Sequence, residues 1–394
     1  MRYPLILTLL SSLGLALSAQ APPAADPAPA GPAIKFRGAV WGSGAASDRN
    51  MQDGSLFLRS TDAGEGQLSL DGLQLGADVT LAGGWGMKFT FLAGQMAKNI
   101  NNATFSHGTT PAETGSIAWP EAMITWTGGG DTFKFGRMYS PMGMEVADDT
   151  QDITASRGIL FTYAVPYAQL GLNWHHAFTP SWSTDVWIYN GEDRVQDNNH
   201  GKTAGLGVTY NQGGSADKFV TLMAFSGPEQ DGLGAAANTG AEGRKRNRLC
   251  MSGQWVWGKT TLLWEGESAQ ETFPAGALAG ATGETKASWS GAGATCKYQF
   301  TDRWNAFGRL EFMKDDTGVR LGADPSIAAA YPPTVGADLQ ARSCVLGVER
   351  RWQATFTRLE LRRDSLNRDV RESAAGGKVF RDANSLTWSV GTSF

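Results

Sequence analysis

At 394 residues the chain is long enough for two soluble domains or for one large closed barrel. Charged residues make up 18% and the formal net charge is −4, which gives no basis for a nucleic-acid partner. Three cysteines, Cys250, Cys296 and Cys344, are too few and too scattered for a disulfide scaffold or a zinc site and read as small wall residues. No cofactor or metal is expected.

Residues 1–19, "MRYPLILTLLSSLGLALSA", combine a basic Arg2, an apolar stretch from Leu5 to Leu17 and small residues after it. That is the pattern of a secretory signal peptide. Cleavage after Ala19 is favoured over cleavage after Ala21, which would leave Pro22 next to the bond. Residues 20–33 are rich in Pro and Ala without periodicity and read as a periplasmic tether. Beyond them no run of 18 apolar residues occurs, so no transmembrane helix is expected.

From Ile34 to Phe394 about sixteen segments of alternating polarity follow. They lie near 35–43, 67–82, 85–95, 117–127, 131–139, 167–178, 182–191 and 202–211 in the first half. In the second half they lie near 217–227, 247–257, 259–269, 287–300, 303–313, 342–351, 353–363 and 385–394. Very short turns, such as "GGW" at 83–85, "TPS" at 179–181 and "GK" at 258–259, join them in pairs, and longer segments with charges, Pro and Gly separate the pairs. Short connections on one side and long ones on the other predict an all-β transmembrane antiparallel β-barrel with periplasmic turns and extracellular loops. Trp85, Trp126, Trp182, Trp257, Trp304 and Trp352 all fall beside the short turns, as one interfacial girdle should.

The final ten residues, "SLTWSVGTSF", alternate most clearly. Leu386, Trp388, Val390 and Phe394 share one parity and are expected to face lipid, with the Ser/Thr parity facing the lumen. Closure of this strand on 35–43 would leave no unpaired edge in the membrane. The ending also resembles the C-terminal motif of outer-membrane proteins, and that resemblance implies an assembly signal read by the barrel-assembly machinery. Sixteen strands imply a water-filled channel instead of a side-chain core. Alternation places Glu265, Glu267, Arg309, Glu311, Arg358 and Arg362 on the lumenal wall, opposite apolar neighbours such as Leu262, Leu310 and Leu359. Arg137 is a further candidate, although its parity with Phe133 and Phe135 leaves its direction open.

The loop from Ser140 to Pro166 carries Glu145, Asp148, Asp149, Asp152 and Arg157. Folded inward, it would narrow the pore and set a transverse field against the basic wall. The plainer alternative is a solvated outer loop. Calcium is disfavoured, because "DDTQD" lacks the Gly and the bidentate Glu of an EF-hand loop.

"FGRMYSPMGME" (135–145), "ASRG" (155–158), "VPYAQLGLNW" (165–174) and "WIYNGEDRVQDNNHGKTAGLGVTY" (187–210) resemble the OmpL-like β-barrel porins of bacterial outer membranes. Glu192 departs from the Trp the family pattern places after Asn190-Gly191. The resemblance implies an outer-membrane pore for small hydrophilic solutes, embedded in outer-membrane lipid, with no catalytic residues. A homotrimer is the candidate assembly. An enzyme would need a histidine held with Ser or Asp at the rim. His175 and His176 are adjacent on one strand, so one faces lipid and one the lumen, while His107 and His200 stand alone in loops. An adhesin would need a passenger domain, for which 20–33 leaves no room. A substrate-specific channel for sugars or small organic anions is the alternative function, with Trp187 and Tyr189 on a shared lumenal parity.

Overall fold

The computed structural model describes residues 31–49, 51, 54–62, 64–101, 115–230, 240–372 and 377–394. The expected signal peptide (1–19), most of the expected tether (20–33) and His107 lie outside the described residues. No helix among those described is long and apolar enough to cross a membrane.

Sixteen antiparallel strands close into one barrel. They are β1 (Ala33–Ser47), β2 (Leu68–Thr80), β3 (Trp85–Ala93), β4 (Ile117–Gly128), β5 (Asp131–Tyr139), β6 (Ala168–Ala177), β7 (Trp182–Tyr189) and β8 (Thr203–Asn211). The second half contributes β9 (Lys218–Pro228), β10 (Lys245–Trp257), β11 (Thr260–Phe273), β12 (Thr285–Gln299), β13 (Trp304–Asp315), β14 (Leu339–Trp352), β15 (Thr355–Arg371) and β16 (Val379–Ser393). Consecutive strands are neighbours, and β1 pairs with β16 from Ala39↔Ser393 to Ser47↔Ser385. Phe394 lies just past β16, yet its N–H donates to the Gly38 carbonyl at 2.9 Å and its carbonyl accepts from the Gly38 N–H at 3.2 Å. The closure satisfies backbone groups that lipid could not.

Strand parity follows the alternation. Leu206, Leu310, Leu346 and Leu361 stand exposed on the outer surface, as do Leu386, Trp388 and Val390, while Ser385, Thr387 and Ser389 are buried inside. Trp85, Trp182, Trp257, Trp304 and Trp352 are exposed at the short-turn end. Trp126 joins them half-buried, its indole N–H donating to the Gly83 carbonyl at 3.1 Å. His175 points inward and His176 outward, the latter packing edge-on against Phe178. All three cysteines are free, Cys250 inside and Cys296 and Cys344 outside.

Two expectations need correction. β15 and β16 extend well past the predicted 353–363 and 385–394. Their extracellular ends carry Arg368, Arg371, Arg381 and Asp382, so the apolar parity that marks a strand within lipid is missing there. More consequentially, the lumen is not free of a side-chain core. Leu58, Leu160, Tyr163, Trp289, Leu321, Ile327 and Leu339 belong to one buried cluster inside the barrel. Most come from the segments between strands, whose apolar residues have no period of two and therefore read as loops. They fold inward and cover one another.

Candidate functional site

The segment 140–166 leaves β5, crosses the lumen and returns into β6. Its last part is a single π-helical turn, Leu160–Ala164, lying on β12 and β13. Two glycines of β12 make that approach possible. A Cβ on Gly291 would sit 2.3 Å from Leu160 Cδ2, and one on Gly293 would sit 3.2 Å from Leu160 Cδ1.

The charged wall of β13–β15 holds this segment by its backbone. Glu311 accepts from the N–H groups of Ile159 and Leu160, both at 3.1 Å, and Glu360 accepts from that of Ala155 at 2.7 Å. On β11, Glu265 accepts from the Met144 N–H at 2.8 Å. The arginines donate in turn. Arg309 pairs with Glu145 and donates to the Ser156 carbonyl at 2.9 Å. Arg358 pairs with Asp149 at 3.2 Å and with Glu349 at 2.9 Å, and donates to the Asp152 carbonyl. Arg362 pairs with Asp364 at 2.8 Å and donates to the Arg157 carbonyl at 2.5 Å.

Arg157 braces the segment from within. It pairs with Asp152, lies 3.7 Å from Asp149 and stacks over Phe161. Burial pushes the Asp149 carboxyl up to about 7, against the pull of Arg358 and Arg157. The sequence placed acidic loop and basic wall on opposite sides of an open gap. The structure puts Glu145, Asp149 and Asp152 in contact with arginines, because a bare carboxylate in this enclosed space costs more than one with a partner. Asp148 alone among the four loop acids has no arginine or lysine against it within the described residues. It is held by Thr150 at 2.6 Å, Gln151 at 3.0 Å and Gln74 at 3.3 Å.

Glu267 belongs elsewhere. With Arg246, Arg248, Glu192 and Glu271 it forms a second buried ion cluster over the Trp289 ring. Alternation in "KRNRL" and along β11 carried the signal for its strand members, but nothing local marked Glu192, the departure from the family pattern, as their partner. Burial opposes ionisation of Glu192, yet Arg248 and Arg246 beside it hold its carboxyl down to about 2. Arg137 is buried as well, on the parity of exposed Phe133 and Phe135, and does not line the cavity described next.

With the loop fastened to β11–β15, the free space lies on the other side. A cavity with an empty volume of about 1580 Å³, open solvent included, is lined by residues of strands between β1 and β10, β3 excepted, and by the near edge of the loop. Its polar wall includes Arg37, Glu121, Lys134, Asn173 and Asp185. Glu121 is satisfied by Arg37 at 3.2 Å and Lys88 at 2.9 Å, neither of which the sequence reading singled out. Its apolar wall includes Met123, Met138, Met142, Met223 and Trp187. Among the described residues no group of His, Cys, Asp and Glu is arranged to hold a metal.

A family model described as "putative beta-barrel porin-2, OmpL-like" matches residues 33–394. No curated protein matches the chain in sequence. Among solved structures, the outer membrane channel DcaP of Acinetobacter baumannii is similar with a TM-score of 0.60 at 11% identity, covering 94% of this chain and 100% of that one. The loop L8 deletion mutant of OmpT from Vibrio cholerae gives a TM-score of 0.57 at 10% identity, covering 92% and 100%. An anion-selective porin from Comamonas acidovorans gives 0.54 at 12% identity, covering 92% and 100%. At such identities the likeness is one of fold.

Proposed function

This chain belongs to the OmpL-like β-barrel porin family, and from that premise we propose that small hydrophilic solutes diffuse passively through the half of its lumen left open by the inward loop. It is a porin of the outer membrane. The observation that carries the finer reading is the one-sided seating of the loop: its acids meet Arg309 and Arg358, while the β1–β10 wall borders a cavity. Of the two loop acids that border this cavity, Glu145 is paired with Arg309, whereas Asp148 has no arginine or lysine against it among the described residues. In a confined and poorly screened passage its fixed charge attracts cations more strongly than it would on an open surface.

Conductance of the refolded protein in a planar bilayer, with the reversal potential read in a salt gradient, tests this. The expected result is an ohmic pore whose cation preference falls in Asp148→Asn and fades toward molar salt, where the Debye length is about 3 Å. Absence of conductance, or unchanged low-salt selectivity in the variant, would overturn it. The alternative of a channel specific for sugars or small organic anions draws on one observation, the Trp187 ring on the cavity wall.

Two further proposals accompany this reading. Leu386, Trp388, Val390 and Phe394 serve as the assembly signal, presented on the lipid face of the closing strand. A homotrimer is the proposed assembly. β5, β7 and β8 have only 9, 8 and 9 residues. A tilted strand needs about 9–11 residues to cross the hydrocarbon, so these strands are at or below the lower limit and this low wall gains from a neighbouring protomer. One of the similar structures, OmpT of Vibrio cholerae, is described in a trimer form.

A further inference from the structure

The charges on the cavity wall are unevenly satisfied. Arg37 and Glu121 neutralise each other, and Glu145 is taken by Arg309. The ammonium of Lys134, on β5, makes no hydrogen bond or ion pair with any described residue. The Asp185 carboxylate, on β7, is held by the Asn173 amide at 3.0 Å and the His175 ring at 3.1 Å, with no lysine or arginine within ion-pair reach among the described residues.

These two opposite charges flank one residue. Lys134 is the cross-strand partner of Asn173 in the β5–β6 register, and Asn173 donates to Asp185 on the far side. Alternate strands lie about 10 Å apart at the backbone, and a lysine chain spans more than half of that distance. The two charges therefore stand on either side of Asn173 on one cavity wall, without an ion pair between them. Beside them lies the apolar wall of Met123, Met138, Met142, Met223 and Trp187, four of whose members are unbranched thioethers that adapt to varied shapes.

We propose that this part of the cavity is a binding site for a free α-amino acid with an apolar side chain. Its carboxylate faces Lys134, its ammonium faces Asp185 and its side chain lies against the methionines and Trp187. A purely anionic or cationic solute would satisfy one pole and be repelled by the other. A hydrophilic zwitterion such as glycine would leave the apolar wall wet. The methionines select for an apolar body and not for one particular shape. The inference names a solute class for the proposed pore and rests on that reading for transport alone.

Calorimetric titration of the full-length barrel, refolded in detergent micelles, tests binding without reference to current. L-leucine should bind saturably in the millimolar range. Glycine, isoamylamine and 4-methylpentanoate, which remove the side chain, the carboxylate and the amine in turn, should each bind weaker by about tenfold or more. Lys134→Gln should abolish the preference for leucine over isoamylamine, and Asp185→Asn that over 4-methylpentanoate. Among the described residues Lys134 has no partner to leave orphaned, so its variant keeps the test available if Asp185→Asn does not fold. The proposal is overturned if glycine matches leucine, if either single-charge analogue does, or if both variants retain wild-type preferences. A barrel that conducts but does not bind leucine contradicts this site alone; one that binds leucine but does not conduct contradicts the pore.

Discussion

The two sides of the barrel solve the problem of a polar interior in opposite ways. On the β11–β16 side the wall charges are spent on the loop. Glu311 and Glu360 accept its backbone N–H groups, Arg309, Arg358 and Arg362 cap its carbonyls and acids, and an apolar core fills the space beyond. On the β1–β10 side the wall charges face a cavity, and among the described residues Lys134 and Asp148 pair with no opposite charge. Strand parity alone puts both sets of residues inside. What separates them is whether a neighbouring segment supplies partners. A lumenal charge in a barrel is therefore structural or functional according to its company, and only the second kind can act on a passing solute.

Deleting a clasp should break this contrast most forcefully. Arg358→Ala strips partners from Asp149 and Glu349 in a buried setting, where loss of one member of an ion pair costs about 3–5 kcal/mol. Urea unfolding in micelles should show that loss, with a rise in single-channel conductance as the loop is freed. Unchanged stability would mean that the clasp does not hold the loop.

Overpacking should act next. A Cβ at Gly291 meets Leu160 Cδ2 at 2.3 Å and the Phe312 carbonyl oxygen at 2.8 Å, so Gly291→Ala should cost about 1–3 kcal/mol by pushing the π-helical turn off β12. The same unfolding curves read it, and a neutral result would argue against close seating of the turn. The open half should behave differently. Ser252 lines the cavity, and Ser252→Ala should leave stability within about 0.5 kcal/mol. A larger loss there would show that the cavity side is as tightly built as the filled side.

The smallest effect concerns pH. Asp193 accepts from the Tyr167 and Ala168 N–H groups at 2.6 and 3.0 Å, where the chain re-enters β6, and burial pushes its carboxyl up to about 6. Burial and the nearby Glu192 push Glu229 up as well. A carboxyl raised on folding favours the folded chain most where it is protonated. That contribution is whole below its unfolded value, about 3.9 for Asp, and is lost as pH rises through the folded value. Stability should thus fall from about pH 4 to about pH 7, with a slope of at most about 1.4 kcal/mol per pH unit for each group. Asp193→Asn should flatten the curve; a rise in stability over that window would contradict the assignment.

The strands were legible because the membrane imposes a period of two on every one of them. Leu310 against Arg309 and Leu359 against Arg358 could be assigned to their faces from the sequence alone. The loop that enters the lumen was legible as a candidate from its length and its acids. Its seating was not, because Glu145 and Arg309 are 164 positions apart and no local pattern joins them. The same holds for Glu192 with Arg246 and Arg248. The apolar core escaped notice for a related reason. Leu58, Leu160 and Leu321 sit in segments without periodicity, and only their convergence in space makes them a core. The cavity wall was half visible: Trp187 shows on parity, whereas Lys134 and Asp185 gain meaning only from standing on either side of Asn173.

The central claim is that solutes pass along the β1–β10 side of the lumen and not along the filled side. In a background with Cys250, Cys296 and Cys344 replaced by alanine, Thr221→Cys places a thiol on the cavity wall and Thr387→Cys places one behind the filled half, where Arg59 donates to Thr387 at 3.0 Å. Single-channel current is then followed while a charged, thiol-reactive sulfonate is added. The account predicts a lasting fall in conductance for Thr221→Cys and none for Thr387→Cys. A fall at Thr387→Cys with Thr221→Cys unaffected would put the path through the side that the structure shows filled, and would contradict the account.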